Sequence, residues 1–288
     1  MSAHSIIIGY DASTEAKAAA AWALDEASRI GAQVEFFYAY EWPTWAPATA
    51  TVAPPEVWPG GEIDRAIKGM LDQAITSARL SHPQVHTEIS IVNGGAARNL
   101  LERSADASLV VLGSRGHSAV PGLLGSVSVA VSASARCPVV VVRGNPAPTT
   151  PVVVGVDDSD SSRSALAFAV GEASARGVPL RAIRAWPPVG GLWEETPMIT
   201  HTVTEQERQP FDDLLQGWRE KSPGLEISAE AVVEHPAAAL VLASTTAQLL
   251  VVGTRGHGAV GGFLLGSVSQ HLLRYSACSV AVIHEPKS

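Results

Sequence analysis

Leu249 to Ser269 reads LLVVGTRGHGAVGGFLLGSVS: four apolar residues, a glycine-rich loop, and a Ser-Val-Ser run where a helix would open. Leu109 to Ser128 reads LVVLGSRGHSAVPGLLGSVS, so the chain carries the same device twice. Two readings of such a loop stand side by side. Backbone N–H groups lined up at a helix start can receive phosphate oxygens. Alternatively, the glycines only permit tight turns and the serines only cap a helix. A single glycine loop favours the second reading, because chance matches are common. Repetition of the loop in one chain favours the first. On that reading a methyl group at Gly253 would bar the close approach of phosphate while leaving the fold largely intact.

A length of 288 residues accommodates two domains of about 144 residues each. With 46% hydrophobic and 17% charged residues, the chain can build cores and has no low-complexity character. A formal charge of -8 argues against general affinity for nucleic acid or an anionic membrane surface. No apolar run reaches bilayer-spanning length, and the early SIIIG run lacks a basic n-region and a cleavage site, so a cytoplasmic protein is expected. Cys137 and Cys278 each open a final apolar run, CPVVVV and CSVAVI, and read as buried thiols rather than a disulfide framework.

From the start of the chain, Ser5 to Tyr10 is a continuous apolar run ending at Asp11, the pattern of a strand buried on both faces of a parallel sheet. A helix is predicted next, with Ser13 as N-cap, an apolar stripe through Ala20, Ala23, Leu24, Ala27 and Ile30, and Gly31 as its left-handed stop. Pro151 to Val156, Asp157, Leu166, Val170, Ala173 and Gly177 repeat this order. Second strands follow at Val34–Tyr40 and Leu180–Trp186. Both halves then break into Pro- and Trp-rich stretches, Glu41–Gly61 and Trp186–Val203, read as loops whose tryptophans pack rather than close over a ligand. Helices (Ile63–Leu80; Glu205–Glu220), strands (His86–Val92; Glu226–Val233) and short helices (Ala97–Ala105; Ala238–Thr245) lead into the glycine loops. The expected division is 1–144, a linker 145–150 (NPAPTT), and 151–288. Alternating strands and helices imply an α/β fold of two tandem, doubly wound, five-stranded parallel sheets, with ligands at the carboxyl ends of the strands.

This arrangement resembles the universal stress protein family in its tandem, two-repeat form, across nearly the whole chain. The carrying residues are a strand-end Asp with Ser two positions on (Asp11 and Ser13; Asp157 and Ser159) and the family loop G-x2-G-x9-G-[ST]. The second copy fits that loop with Gly253, Gly256, Gly266 and Ser267. In the first, Gly113, Gly116, Gly125 and Ser126 leave a spacer of eight. The resemblance implies an adenine nucleotide alpha hydrolase-like fold with a pseudo-twofold axis between the repeats. It also implies ATP, with or without Mg2+, held with adenine and ribose beside the first two strand ends and the triphosphate on the loop.

Carried over on that basis, Asp11 and Asp157 accept ribose hydroxyls, a role that competes with simple helix capping. Ala39 and Ala185 leave room for the base. Ser126, Val127 and Ser128, and Ser267, Val268 and Ser269, offer N–H groups to phosphate. Arg115 and Arg255 are phosphate partners or solvated loop cations. His117 and His257 lack an evident carboxylate partner. A homodimer is compatible with this reading, and no protein partner follows from it.

Rival classes fail on motif. Neither loop contains the Lys of a P-loop, and GYDAS and GVDDS stand where a dinucleotide fingerprint would follow the first strand. No general base or nucleophile lies near the loops. A nucleotide-binding regulatory module therefore leads over a slow ATP hydrolase and over a structural dimer that has lost its ligand. Two further expectations follow. The final strands, Val139–Val142 and Val280–Ile283, should pair antiparallel, leaving the cysteines ~17 Å apart. The shortened first loop, stiffened by Pro121 opposite Gly261 and Gly262, should make the second site the tighter one.

Overall fold

Three consecutive isoleucines decide how the first strand is used. Ile6 and Ile8 are buried in one core and Ile7 in another, so the strand that carries them is covered on both faces. The computed structural model describes residues 5–40, 60–116, 124–188, 203–256 and 265–285, with backbone alone for 60–64. The first half runs β1 (Ser5–Gly9), α1 (Thr14–Ile30), β2 (Gln33–Tyr40), α2 (Gly60–Ser81), β3 (Thr87–Asn93), α3 (Ala96–Arg103), β4 (Leu109–Gly113), α4 (Ser126–Ser134) and β5 (Val139–Val142). The second half repeats it as β6 (Val152–Gly155), α5 (Asp160–Arg176), β7 (Leu180–Trp186), α6 (Glu205–Lys221), β8 (Ile227–Val233), α7 (Pro236–Ser244), β9 (Leu249–Gly253), α8 (Ser267–Tyr275) and β10 (Ser279–Ile283).

The strands order as β3-β2-β1-β4-β5-β10-β9-β6-β7-β8 in one ten-stranded sheet. Within each half every pairing is parallel. The halves meet through the one antiparallel pair, β5 with β10, in the register Val139 to Val282 and Val141 to Val280. The expected junction is thus present, and edge strands that would otherwise be open are closed on each other. One core lies against α1, α2, α5 and α6, and the other against α3, α4, α7 and α8. Each fully buried aliphatic side chain contributes about 1.5–3 kcal/mol, which adds to the high helix propensity of the alanine-rich α1, whose expected stripe is buried at Ala20, Ala23, Leu24 and Ala27 but leaves Ile30, beside the helix end, exposed.

The caps follow the sequence. The Ser13 hydroxyl accepts from the Ala16 N–H and the Ser159 hydroxyl from the Ser162 N–H, while Gly31 and Gly177 end their helices at φ of 68° and 64°. Expected boundaries hold to within one or two residues for most elements. The exception is α2, which starts at Gly60 rather than Ile63, its glycines being helical despite their loop composition. Trp42, Trp45, Trp58 and Trp193 lie outside the described residues. Trp186 closes β7 with the Arg184 guanidinium 4.9 Å from its ring centre. Cys137 and Cys278 are free and buried, and burial pushes both thiols up to about 12.

A second contact between the halves is polar. Arg176 on α5 reaches Glu26 on α1 at 2.6 Å and Glu172 on its own helix at 2.7 Å, and Arg29 also meets Glu26 at 2.6 Å. The Arg176 side chain is 8% exposed and Glu26 1%. Gln248 accepts from Arg176 at 3.2 Å, and the Trp22 ring lies 5.3 Å from its guanidinium. Removing one partner of a buried ion pair leaves the others uncompensated. Arg176→Ala should therefore lower stability by about 3–5 kcal/mol in denaturant unfolding.

The Glu172 carboxyl is held above its ordinary range, first by burial and then by Glu26, with Arg176 opposing. A carboxyl raised on folding supports stability fully below its unfolded value of about 4.3, and that support is lost as pH rises through the folded value. Glu172→Gln removes this slope. The variant should gain in melting temperature relative to the parent as pH rises from about 4, and a difference that stays flat or shrinks would refute the shift.

Candidate functional site

Asp11 and Asp157 stand just beyond β1 and β6, where the chain turns to begin a helix. Asp11 accepts the Ser13 N–H at 3.0 Å, and Asp157 accepts the Ser159 N–H at 2.9 Å and its hydroxyl as well. Between Asp11 and Ser13, Ala12 has φ of 62°, the only positive value for a non-glycine residue among those described. Such a conformation is strained by about 1–2 kcal/mol and holds Asp11 in its turn. The second carboxylate oxygen of each Asp lies under the loop. A Cβ built on Gly116 would stand 2.6 Å from Asp11 Oδ2, and one on Gly256 2.5 Å from Asp157 Oδ2. These two glycines are small so that a carboxylate can reach the loop.

Gly113 and Gly253 are small for a different reason, which corrects the expectation from sequence. A Cβ on Gly253 would meet the Cβ and carbonyl carbon of Ser161 at 2.8 Å, and one on Gly113 would meet the same atoms of Glu15 at 2.8 Å. Both contacts are with the first turn of the helix, α5 or α1, and neither glycine has positive φ. The requirement is packing of that turn against the strand end. Gly253→Ala should thus cost about 1–3 kcal/mol of stability, rather than sparing the fold. Gly256→Ala meets only the tip of the Asp157 side chain and should cost far less, so thermal melts of the two variants separate the roles.

Ser128 donates its buried hydroxyl to the Gly113 carbonyl at 2.8 Å, and Ser269 donates to the Gly253 carbonyl at 2.7 Å. These bonds fasten the first turns of α4 and α8 to the strand ends. Their N-cap residues, Gly125 and Gly266, supply no side-chain cap, so the N–H groups of Ser126, Val127 and Ser128, and of Ser267, Val268 and Ser269, keep the open donors of a helix start. The N–H groups of Gly125 and Gly266 turn back to the Ser114 and Thr254 carbonyls at 2.9 and 2.8 Å.

Each half gathers these groups around one cleft. The first, about 520 Å3, is lined by Asp11, Ala39, Gly113, Arg115, Gly116, Gly125, Ser126, Val127 and Ser128, together with Tyr10, Phe37, Tyr38, Leu100 and Leu112. The second, about 310 Å3, is lined by Asp157, Ala185, Gly253, Arg255, Gly256, Gly266, Ser267, Val268 and Ser269, together with Ile183, Pro236, Leu240 and Val252. All eighteen site residues read from the sequence thus line the two clefts. The apolar walls from α3 and α7 were not picked out, although Leu100 and Leu240 occupy matching places in the repeat. His117, His257, Pro121, Gly261 and Gly262 lie outside the described residues.

Charge differs between the clefts. Arg115 pairs with Glu15 at 2.8 Å in the first. In the second half, Arg184 pairs through both Nη atoms with Asp158, at 2.5 Å each, beside the cleft rather than in its lining. The Tyr10 and Tyr38 phenols are raised by burial and then by the charge of Asp11. Among the described residues, no three His, Cys, Asp or Glu side chains gather to hold a metal ion, and no helix is long and apolar enough to cross a membrane.

A model of the universal stress protein family matches residues 3–143 and again 148–284. The chain belongs to the universal stress protein family. A universal stress protein of Mycobacterium tuberculosis is 38% identical over 293 residues, covering 97% of this chain and 96% of the relative. Another from the same species is 36% identical over 293 residues, covering 98% and 97%. In fold, the crystal structure of a universal stress protein from Archaeoglobus fulgidus superposes with a TM-score of 0.69 at 18% identity, covering 98% of this chain and 96% of that one. The duplicated loop from which the sequence was first read is therefore that of a tandem universal stress protein.

Proposed function

We propose that this universal stress protein binds adenine nucleotide, ATP foremost, in both clefts and acts as a nucleotide-dependent regulatory module, its two units being 1–144 and 151–288 about the 145–150 linker. The observation that carries the reading is a cleft, built twice, that joins an apolar slot to an uncapped helix start. The slot beside Ala39 or Ala185 has the flat, apolar character of an adenine site. Asp11 and Asp157 stand at its mouth as acceptors for ribose hydroxyls. The helix starts at Ser126 and Ser267 face the phosphates with N–H donors and the positive end of a helix dipole. Mg2+ would travel on the phosphate oxygens themselves, since no carboxylate cage accompanies the described residues. None of these groups is arranged as a general base, so binding rather than turnover is the function supported.

Protein purified without added nucleotide and then acid-precipitated should release ATP or ADP, read by chromatography of the supernatant. Asp157→Ala should weaken ATP binding at the second cleft about ten- to a hundredfold in calorimetric titration, the loss expected for a hydrogen bond to a charged acceptor. Unaltered affinity and stoichiometry in a folded Asp157→Ala protein would count against the assignment.

A further inference from the structure

We infer that Arg143, supplied by the first half, is a positioning residue for the phosphate site of the second cleft: it holds the far end of α8, the helix whose first turn faces the phosphates there. The inference rests on the nucleotide reading above and adds to it a dependence of one half's site on the other half. Arg143 follows β5, whose last residue, Val142, is the register partner of Gly113. Its guanidinium crosses to the second half. One Nη donates to the Arg274 carbonyl at 2.5 Å and the other to the Leu273 carbonyl at 2.9 Å. Both acceptors belong to the last turn of α8, whose carbonyls have no partner within the helix.

The backbone around Arg143 is tied to the same place. Its N–H donates to the Ser279 hydroxyl at 3.2 Å, and that hydroxyl donates to the Arg143 carbonyl at 3.3 Å. Gly144 has φ of 66°, and a Cβ built on it would run into the Ala277 carbonyl oxygen. The end of β5 and the end of α8 therefore meet with no room for a side chain at Gly144. In the repeat, Cys137 to Gly144 matches Cys278 to Glu285, which puts His284 opposite Arg143 and Glu285 opposite Gly144. The arginine-glycine pair stands at this place in one half only.

A helix of nine residues, roughly 13 Å long, moves as one body, so a grip on its last turn fixes where its first turn points. The first turn is fastened by Ser269 on the Gly253 carbonyl, and the far end by the Ser244 hydroxyl, which accepts the Ala277 N–H. Arg143 adds the hold from across the junction and places a positive charge at the negative end of the helix dipole. On the nucleotide reading the phosphates, not the adenine, meet the N–H groups of α8. Loss of Arg143 should then penalise phosphate-bearing ligands and spare adenosine. Its charge also reaches the first cleft: the guanidinium is held below its ordinary value first by burial and then by Arg115. The second cleft is for that reason read with the first one weakened.

The test is calorimetric titration of the full-length protein with ATP and with adenosine, in an Asp11→Ala background. Arg143→Met keeps much of the side chain's length and removes its donors and charge. It should weaken ATP binding at the second cleft about five- to tenfold and adenosine binding less than twofold, while Arg143→Lys keeps most of the ATP affinity. Gly144→Ala, which pushes the same junction apart, should reproduce the selective loss. The ratio between background and Arg143→Met should persist in about 0.5 M salt, where a charge roughly 13 Å away is screened. Unchanged ATP affinity in the folded Met and Ala variants, an equal loss of ATP and adenosine, or a ratio that vanishes in salt overturns the proposal and leaves the nucleotide reading standing. Absence of binding by both ligands at both clefts of the unsubstituted protein overturns both.

Discussion

No side chain fits between the end of the glycine-loop strand and the first turn of the helix that crosses it. Gly113 meets the backbone and Cβ of Glu15, and Gly253 the backbone and side chain of Ser161, and the rest of each site is hung from these contacts. Because α1 and α5 come that close, the Asp that precedes each helix falls under the loop, and Gly116 or Gly256 must in turn be bare to admit its carboxylate. The serine hydroxyls of α4 and α8 then lock the far side of the loop to the same strand-end carbonyls. A cleft results whose polar edge is fixed from three directions by atoms that have no freedom to move apart. That is the kind of preorganisation a polyanion site needs.

Duplication explains both the sameness and the differences of the two clefts. The packing contacts are repeated because in either half a side chain at the strand end would run into the first turn of the helix. The charges are not repeated, because nothing in the packing requires them. Tyr38 lines the first cleft while its counterpart Arg184 pairs with Asp158 beside the second, and Glu15 meets the Arg115 guanidinium where Ser161 donates to the Arg255 carbonyl. A gene that carries two copies of a site can keep one scaffold and vary the electrostatics on it, at positions where one side chain replaces another without moving the backbone.

The sequence carried the fold because its signals are local: Ile6 to Ile8, the serine caps, the glycine stops and the alternation of strands with helices all act within a few residues. The cleft residues were legible for the same reason, lying as they do in short motifs repeated twice. What the motif did not carry was why each glycine is there. Gly253 and Gly256 look alike as letters, yet one faces a helix and the other a carboxylate, partners nearly a hundred residues away. The Glu15 to Arg115 pair was illegible on the same grounds, since its partners belong to different strand-helix units. So was the helical state of Gly60 and Gly61, whose composition argued for a loop.

The meeting of the halves obeys a stricter logic. A twofold arrangement of copies brings equivalent residues together at its axis, and Glu26 and Glu172, equivalent in the repeat, converge on one guanidinium. Two carboxylates buried in proximity repel, and symmetry alone supplies no remedy. The remedy is asymmetric: Arg176 stands between them, while its counterpart in the first half is Ile30, an exposed side chain. Two identical copies of the first half, meeting the same way, would bring two such glutamates together with an isoleucine in place of Arg176. Fusing the halves into one chain lets the two sides of the axis differ, so Arg176 can bridge both acids, with Arg29 on Glu26 beside it, and be stacked on Trp22 as well. The covalent link thus does more than raise the effective concentration of one half for the other. It permits a buried charge arrangement that two identical chains could not adopt.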